Sequence, residues 1–101
     1  MDVNQKGVKG LIKVIDDLTD KGYYTFPAFD DHSPVDLIVM DESGRTIRLQ
    51  VKYRARMPKL KSNRYELHAR SVVNGKVVPI DRTLIDGWAV YLHDDAKVVY
   101  I

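Results

Sequence analysis

Asp36, Gln50 and Lys52 are the residues whose types and spacing add up to a chemistry. Between Thr46 and Arg54, the apolar Ile47, Leu49, Val51 and Tyr53 alternate with Arg48, Gln50, Lys52 and Arg54. Alternation with period two marks a strand with one buried face, and it sets Gln50 and Lys52 side by side on the other. A carboxylate, a carboxamide oxygen and a backbone carbonyl are hard donors of the kind that hold Mg²⁺. Asp36, Gln50 and the Val51 carbonyl form the expected ligand set, with Mn²⁺ expected to substitute. Lys52 would add an ammonium that stabilises charge developing on a phosphate. The expected reaction is hydrolysis of a phosphodiester, with Asp36, Gln50 and Lys52 as candidate catalytic residues.

The elements that must position these groups follow from the pattern. Val8, Leu11, Ile12, Ile15 and Leu18 keep helical spacing opposite Lys9, Lys13, Asp16, Asp17 and Asp20, which predicts a helix from about Asn4 to Lys21. Gly22 stands where a left-handed C-terminal cap belongs. Tyr23–Phe26 reads as a short strand that Pro27 stops. Val35–Asp41 and the stretch from Arg45 or Thr46 to about Arg56 read as two strands. Between them, Glu42-Ser43-Gly44 predicts a three-residue hairpin loop with positive φ at Gly44. That loop sets Asp36 opposite Gln50, whereas a two-residue turn would set it opposite Val51. In this reading Val35, Leu37 and Val39 share one face and Asp36 takes the other.

Further along, Met57–Asn63 reads as a basic connector. Tyr65–Val73 and Lys76–Ile80 flank Asn74-Gly75, a strong hairpin signal. Thr83 would cap a short helical turn through Asp86. Gly87–Leu92 and Lys97–Ile101 form a last pair of strands around the segment His93–Ala96. The expected fold class is α/β (α+β): an N-terminal helix followed by a mixed, largely antiparallel sheet. With 101 residues, a single domain over 1–101 is expected.

Composition excludes several classes. The chain is 45% hydrophobic and 30% charged, which is globular rather than disordered material. Without cysteine it has neither disulfides nor thiolate metal sites. No apolar run approaches the roughly 20 residues that span a bilayer. A cytoplasmic, nucleoid-associated protein with no membrane partner is the expectation. The net charge of +2 does not by itself call for nucleic acid, but its distribution does. From Lys52 to Arg70 the chain carries Arg54, Arg56, Lys59, Lys61 and Arg64 against the single acid Glu66, while the other acids gather elsewhere. Arg48, Arg54, Arg56, Lys59, Lys61 and Arg64 are therefore the candidate DNA contacts.

Other residues read as structure. His32 is taken as a solvated loop histidine rather than a proton shuttle, and His68 and His93 as structural or exposed. Asp30 and Asp31 are more readily loop acids than ligands. Trp88 and Tyr91 are expected in the core, Tyr65 packs or stacks on a base, and Asp86 caps or pairs.

The order of these segments resembles the PD-(D/E)XK nuclease superfamily, and within it the group I intron homing endonuclease branch that carries Gln-x-Lys. The likeness rests on Lys6–Tyr23, on Val35–Val39 with Leu49–Lys52, and on Ile85–Tyr91 with Lys97–Tyr100. It implies a restriction-endonuclease-like core, a DNA substrate, and Asp36, Gln50 and Lys52 as metal ligands and catalytic lysine. A homo-oligomer, dimer or tetramer, is expected because a small subunit supplies one site and a duplex has two strands. The sequence departs from the pattern in two places: Val35 separates Pro34 from Asp36, and Leu11 stands where the first helix usually carries a glutamate. A structure-selective nuclease such as a Holliday junction resolvase, a catalytically reduced DNA-binding module and a protein-interaction domain are the rivals.

Overall fold

The structure, a computed structural model, describes residues 1–30, 32–55, 70–73, 76–79 and 83–101. Helix α1 spans Val3–Asp20 and begins in a capping box. The Asp2 carboxylate accepts from the Gln5 N–H at 2.8 Å, and the Gln5 side chain accepts from the Asp2 N–H at 2.9 Å. The helix ends in a Schellman turn. The Tyr23 N–H reaches the Leu18 carbonyl and the Gly22 N–H reaches that of Thr19, both at 3.0 Å. This winding needs φ near +87° at Gly22, which glycine adopts without a Cβ penalty.

Strands β1 (Tyr24–Pro27), β2 (Leu37–Met40), β3 (Thr46–Arg54), β6 (Gly87–Leu92) and β7 (Lys97–Tyr100) form one sheet in the order β1-β2-β3-β6-β7. Only the β3–β6 pair is parallel. Strands β4 (Arg70–Val73) and β5 (Lys76–Pro79) pair with each other, antiparallel, as the Asn74-Gly75 signal predicted. The predicted connector over 57–63 and the outer parts of that hairpin lie outside the described residues. Pro27 closes β1 from within, paired with Leu37 on an edge strand where a missing N–H is tolerated. Thr83 and Leu84 form a turn rather than a helix.

The β2–β3 hairpin has the predicted loop. Met40 pairs with Thr46, the Asp41 N–H donates to the Arg45 carbonyl at 2.9 Å, and Gly44 has φ of 89°. The β6–β7 loop turns on a short 3₁₀ segment, His93–Asp95, and a left-handed Ala96.

The sheet is packed on both faces. On one, α1 lays Val14 and Leu18 on Leu37, Val39, Leu49 and Ala89, with Leu11, Ile15, Val51 and Val98 around them. Each fully buried aliphatic side chain here contributes about 1.5–3 kcal/mol. Helix and strand approach closely at Gly10, where a Cβ would stand 3.4 Å from the Tyr53 Cβ. On the other face, Ile85, Trp88, Val90 and Leu92 form a second cluster, joined by Val35 and Val99. One expectation fails here. Val35 does not share a face with Leu37 and Val39: it packs with Trp88, and they pack with α1. The chain turns over at Asp36, just before β2 enters the ladder.

Candidate active site

That turnover makes the site. The β2–β3 ladder ends at the pair Leu37–Leu49, and the Asp36 N–H then donates to the Leu49 carbonyl at 3.0 Å. With β2 leaving, the Val51 N–H has no backbone partner on that side, and the Asp36 carboxylate takes it at 2.8 Å. A strand residue points its N–H and its C=O to the same neighbour. The Val51 carbonyl therefore also faces the gap that Asp36 occupies. Asp36 sits in the seam between the strands, rather than standing on a face as alternation suggested.

Gln50 and Lys52 stand on the face away from α1, as predicted. Gln50 is level with Trp88 and Lys52 with Val90 across the parallel β3–β6 pair. The Gln50 carboxamide oxygen accepts from the Trp88 indole N–H at 3.3 Å, and its nitrogen lies 3.5 Å from the Pro34 carbonyl. Gln50 thus bridges β6 to the segment that carries Asp36.

The charges are partly withdrawn from water. Burial pushes the Asp36 carboxyl up, against the Val51 N–H and the Lys52 ammonium that pull it down. Burial pushes the Lys52 ammonium down, Arg54 adds to that, and Asp36 opposes it. A carboxylate whose burial outweighs its local compensation is what a bound cation relieves. The oxygens in the seam, those of Asp36 and the Val51 carbonyl, are hard donors, and Gln50 on the adjoining face turns its own oxygen toward Trp88. The seam oxygens fit a divalent ion of the Mg²⁺ class. Among the described residues no cluster of three or more His, Cys, Asp or Glu offers an alternative centre.

The family model for PD-(D/E)XK endonucleases matches residues 1–101, the whole chain. The chain belongs to the PD-(D/E)XK endonuclease family. Among solved structures it is similar to the bacterial homing endonuclease I-Ssp6803I, with a TM-score of 0.78 at 16% identity over 100% of this chain and 69% of that one. No curated protein matches it. The N-terminal helix and mixed five-stranded sheet are thus the restriction-endonuclease-like fold that the resemblance implied.

Within this PD-(D/E)XK fold, the remaining candidates separate. Arg48 is engaged by Asp86: Nε and Nη2 reach its two oxygens at 3.2 and 3.1 Å, and Nη1 reaches the Thr83 carbonyl at 3.1 Å. The Asp86 carboxylate also takes the Arg48 N–H at 2.7 Å. Arg54 donates from Nη1 to the Tyr53 carbonyl at 2.8 Å. Arg56, Lys59, Lys61 and Arg64 lie outside the described residues, as do Asp31, Tyr65 and His68. Leu11 packs against the helix-side core. Asp17 is bound to Lys21 and Tyr100. Asp30 holds the His32 N–H at 2.9 Å in an exposed loop. His93 stacks on Tyr53, with ring centroids 5.4 Å apart. No helix among the described residues is long and apolar enough to cross a membrane.

Sequence reasoning placed Trp88 in the core and missed its indole N–H. It left Asp86 to cap or pair without naming Arg48. Both contacts cross the β3–β6 pair between residues 38 apart. No local pattern announces that pairing.

Proposed function

We propose that this PD-(D/E)XK family member is a metal-dependent DNA endonuclease in which Asp36, Gln50 and Lys52 carry the reaction. The observation behind this is the Asp36 carboxylate on the Val51 N–H, in the seam where β2 leaves β3, with Gln50 and Lys52 flanking it on β3. Asp36, the Gln50 carboxamide oxygen and the Val51 carbonyl would hold Mg²⁺, or Mn²⁺ in its place. The ion supplies Lewis acidity toward a phosphate oxygen and an activated water. Lys52 neutralises charge that develops on the phosphate, and its partial burial strengthens that interaction over the same contact in water. The Val51 N–H holds one carboxylate oxygen of Asp36 and so fixes the direction of the other.

Duplex DNA is the proposed substrate and Arg54 a proposed phosphate contact, while Arg48 serves the fold. Cutting both strands calls for two copies of the site, hence a homo-oligomer. The deciding experiment incubates the chain with linear duplex and four-way-junction DNA, with Mg²⁺, Mn²⁺ or EDTA. Cleavage that needs metal and disappears in Asp36→Ala and Lys52→Ala is the expected result. Preference for the junction would assign the structure-selective variant of the same chemistry. Salt-sensitive DNA binding with no cleavage by the native chain would replace the enzyme with a binding module. The aliphatic Leu11 is the observation on that side.

A further inference from the structure

We infer that the outer face of α1 docks on α1 of a second copy of this chain, the two helices lying antiparallel about a two-fold axis near Ile12. This pairing is independent of the nuclease reading. The apolar stripe that marks α1 in the sequence is wider than the sheet covers. Gly10, Val14 and Leu18 are buried, while Val8 and Ile12, one turn apart, are 59% and 58% exposed. A helix packed on one side ordinarily turns a polar face to solvent. Here Met1, Asn4, Gln5, Val8, Lys9 and Ile12 line a shallow depression on that outer face. Gln5, Val8, Lys9 and Ile12 are spaced i, i+3, i+4 and i+7, and four such residues make the hole that receives a side chain from a facing helix.

The charges point to the occupant. Between its caps, Asp2 and Lys21, α1 carries Lys6, Lys9 and Lys13 first and Asp16, Asp17 and Asp20 last. That order opposes the helix dipole, which favours acids near the start and bases near the end. It also sets like charges four apart, at Lys9 with Lys13 and at Asp16 with Asp20, a spacing that costs stability within one helix. Asp17 is taken by Lys21 and Tyr100. Lys6, Lys9, Lys13, Asp16 and Asp20 have no ion pair among the described residues. A copy of the same helix running the opposite way answers both faults. With the axis at Ile12, that side chain meets Ile12 of the partner subunit. The turn with Val8 and Lys9 then comes level with the turn that carries Ile15 and Asp16 of the partner subunit. The two-fold repeats the contact, so each Lys9 gains an acid. With 18 residues α1 is about 27 Å long, so the contact is small and the dimer belongs to the weak, concentration-dependent class. Gln50 and Lys52 lie on the other face of the sheet. The pair therefore carries its two sites facing apart, on a surface distinct from one that would bring two sites to a single duplex.

Sedimentation equilibrium of the full chain, without DNA or metal, tests this. The native chain should associate as its concentration rises. Lys9→Glu or Asp16→Lys alone should weaken that association about 10-fold, because like charges then meet at both ends of the contact. The variant with both changes should recover it, since each pair is only reversed, and so should an equimolar mixture of the two single variants. A native chain that stays monomeric up to about 1 mM overturns the inference, and so does an association that neither single change alters. A loss that the mixture does not restore would mean that the changes act within each chain, and overturns it too. Should Lys9→Glu weaken duplex DNA binding and leave self-association as it was, the face belongs to nucleic acid and the pairing falls.

Discussion

Arg48 and Lys52 stand on the same face of the same strand, four positions apart, and do different work. Arg48 has its counter-charge. Asp86 meets it with both oxygens, and the two residues also share backbone contacts, Asp86 N–H to the Arg48 carbonyl at 2.8 Å. Lys52 has no ion pair among the described residues, and burial holds its ammonium below the usual lysine range. One cation joins β3 to the entry of β6. The other stands beside an acid, both partly dried. Sign of charge and position on a strand do not separate these roles; saturation by a fixed partner does.

The largest test of that contrast is a matched pair of substitutions. Lys52→Met should cut the cleavage rate by about 10³, in line with removal of a group that meets transition-state charge. Its melting temperature should equal or exceed that of the native chain, because a desolvated ammonium is removed. Arg48→Met should do the reverse: a lower melting temperature, with the rate per folded molecule unchanged. Equal rate losses for the two variants would erase the distinction and return Arg48 to the DNA-contacting set.

A smaller effect sharpens the Arg48 half. If Arg48 and Asp86 act as one unit, Arg48→Met, Asp86→Asn and the double variant should lower the melting midpoint by similar amounts. The double change would cost far less than the two single changes added together. Thermal denaturation of the four chains measures this. Additive losses would mean that each residue works through separate contacts, such as Arg48 with Thr83.

What could be read from the chain divides along the same lines. Gly44 announced its loop, and that loop sets the β2–β3 register, because hairpin turns obey local backbone rules. Gly22 announced its cap for the same reason. The alternation from Ile47 to Arg54 placed Gln50 and Lys52 on one face, since a strand's period is fixed by its own geometry. Asp36 was expected on the open face opposite Gln50, and its carboxylate instead meets the Val51 N–H. Its carboxylate lies in the seam because β2 leaves the ladder there, and Val35 crosses to the Trp88 side. That departure is a tertiary event, set by what each face has to pack against. The Trp88–Gln50 and Arg48–Asp86 contacts depend on a parallel pairing whose crossover covers more than thirty residues, and no periodicity encodes it.

The smallest predicted effect concerns a second fastening, two strands across the sheet from Lys52. The Tyr100 hydroxyl donates to the Asp17 carboxylate and ties β7 to α1. This contact first, and Lys21 after it, holds the Asp17 carboxyl below the ordinary 3.8, while burial and the same contact hold the Tyr100 phenol above its ordinary 10.0. A carboxyl depressed on folding contributes stability that is present above its unfolded pKa and lost as pH falls through the folded one. A phenol raised on folding contributes below its unfolded pKa and loses that contribution at higher pH. Tyr100→Phe should therefore cost about 1 kcal/mol, discounted for solvent exposure of Asp17. The cost should hold steady from about pH 5 to 9. Below 3.8 the native chain and the variant should converge, as Asp17 takes up its proton in both. Urea denaturation across that range measures it. A gap that persists undiminished at pH 2 would mean that the hydroxyl works through packing or another acceptor, and would set this contact apart from the charge-based Arg48–Asp86 pair.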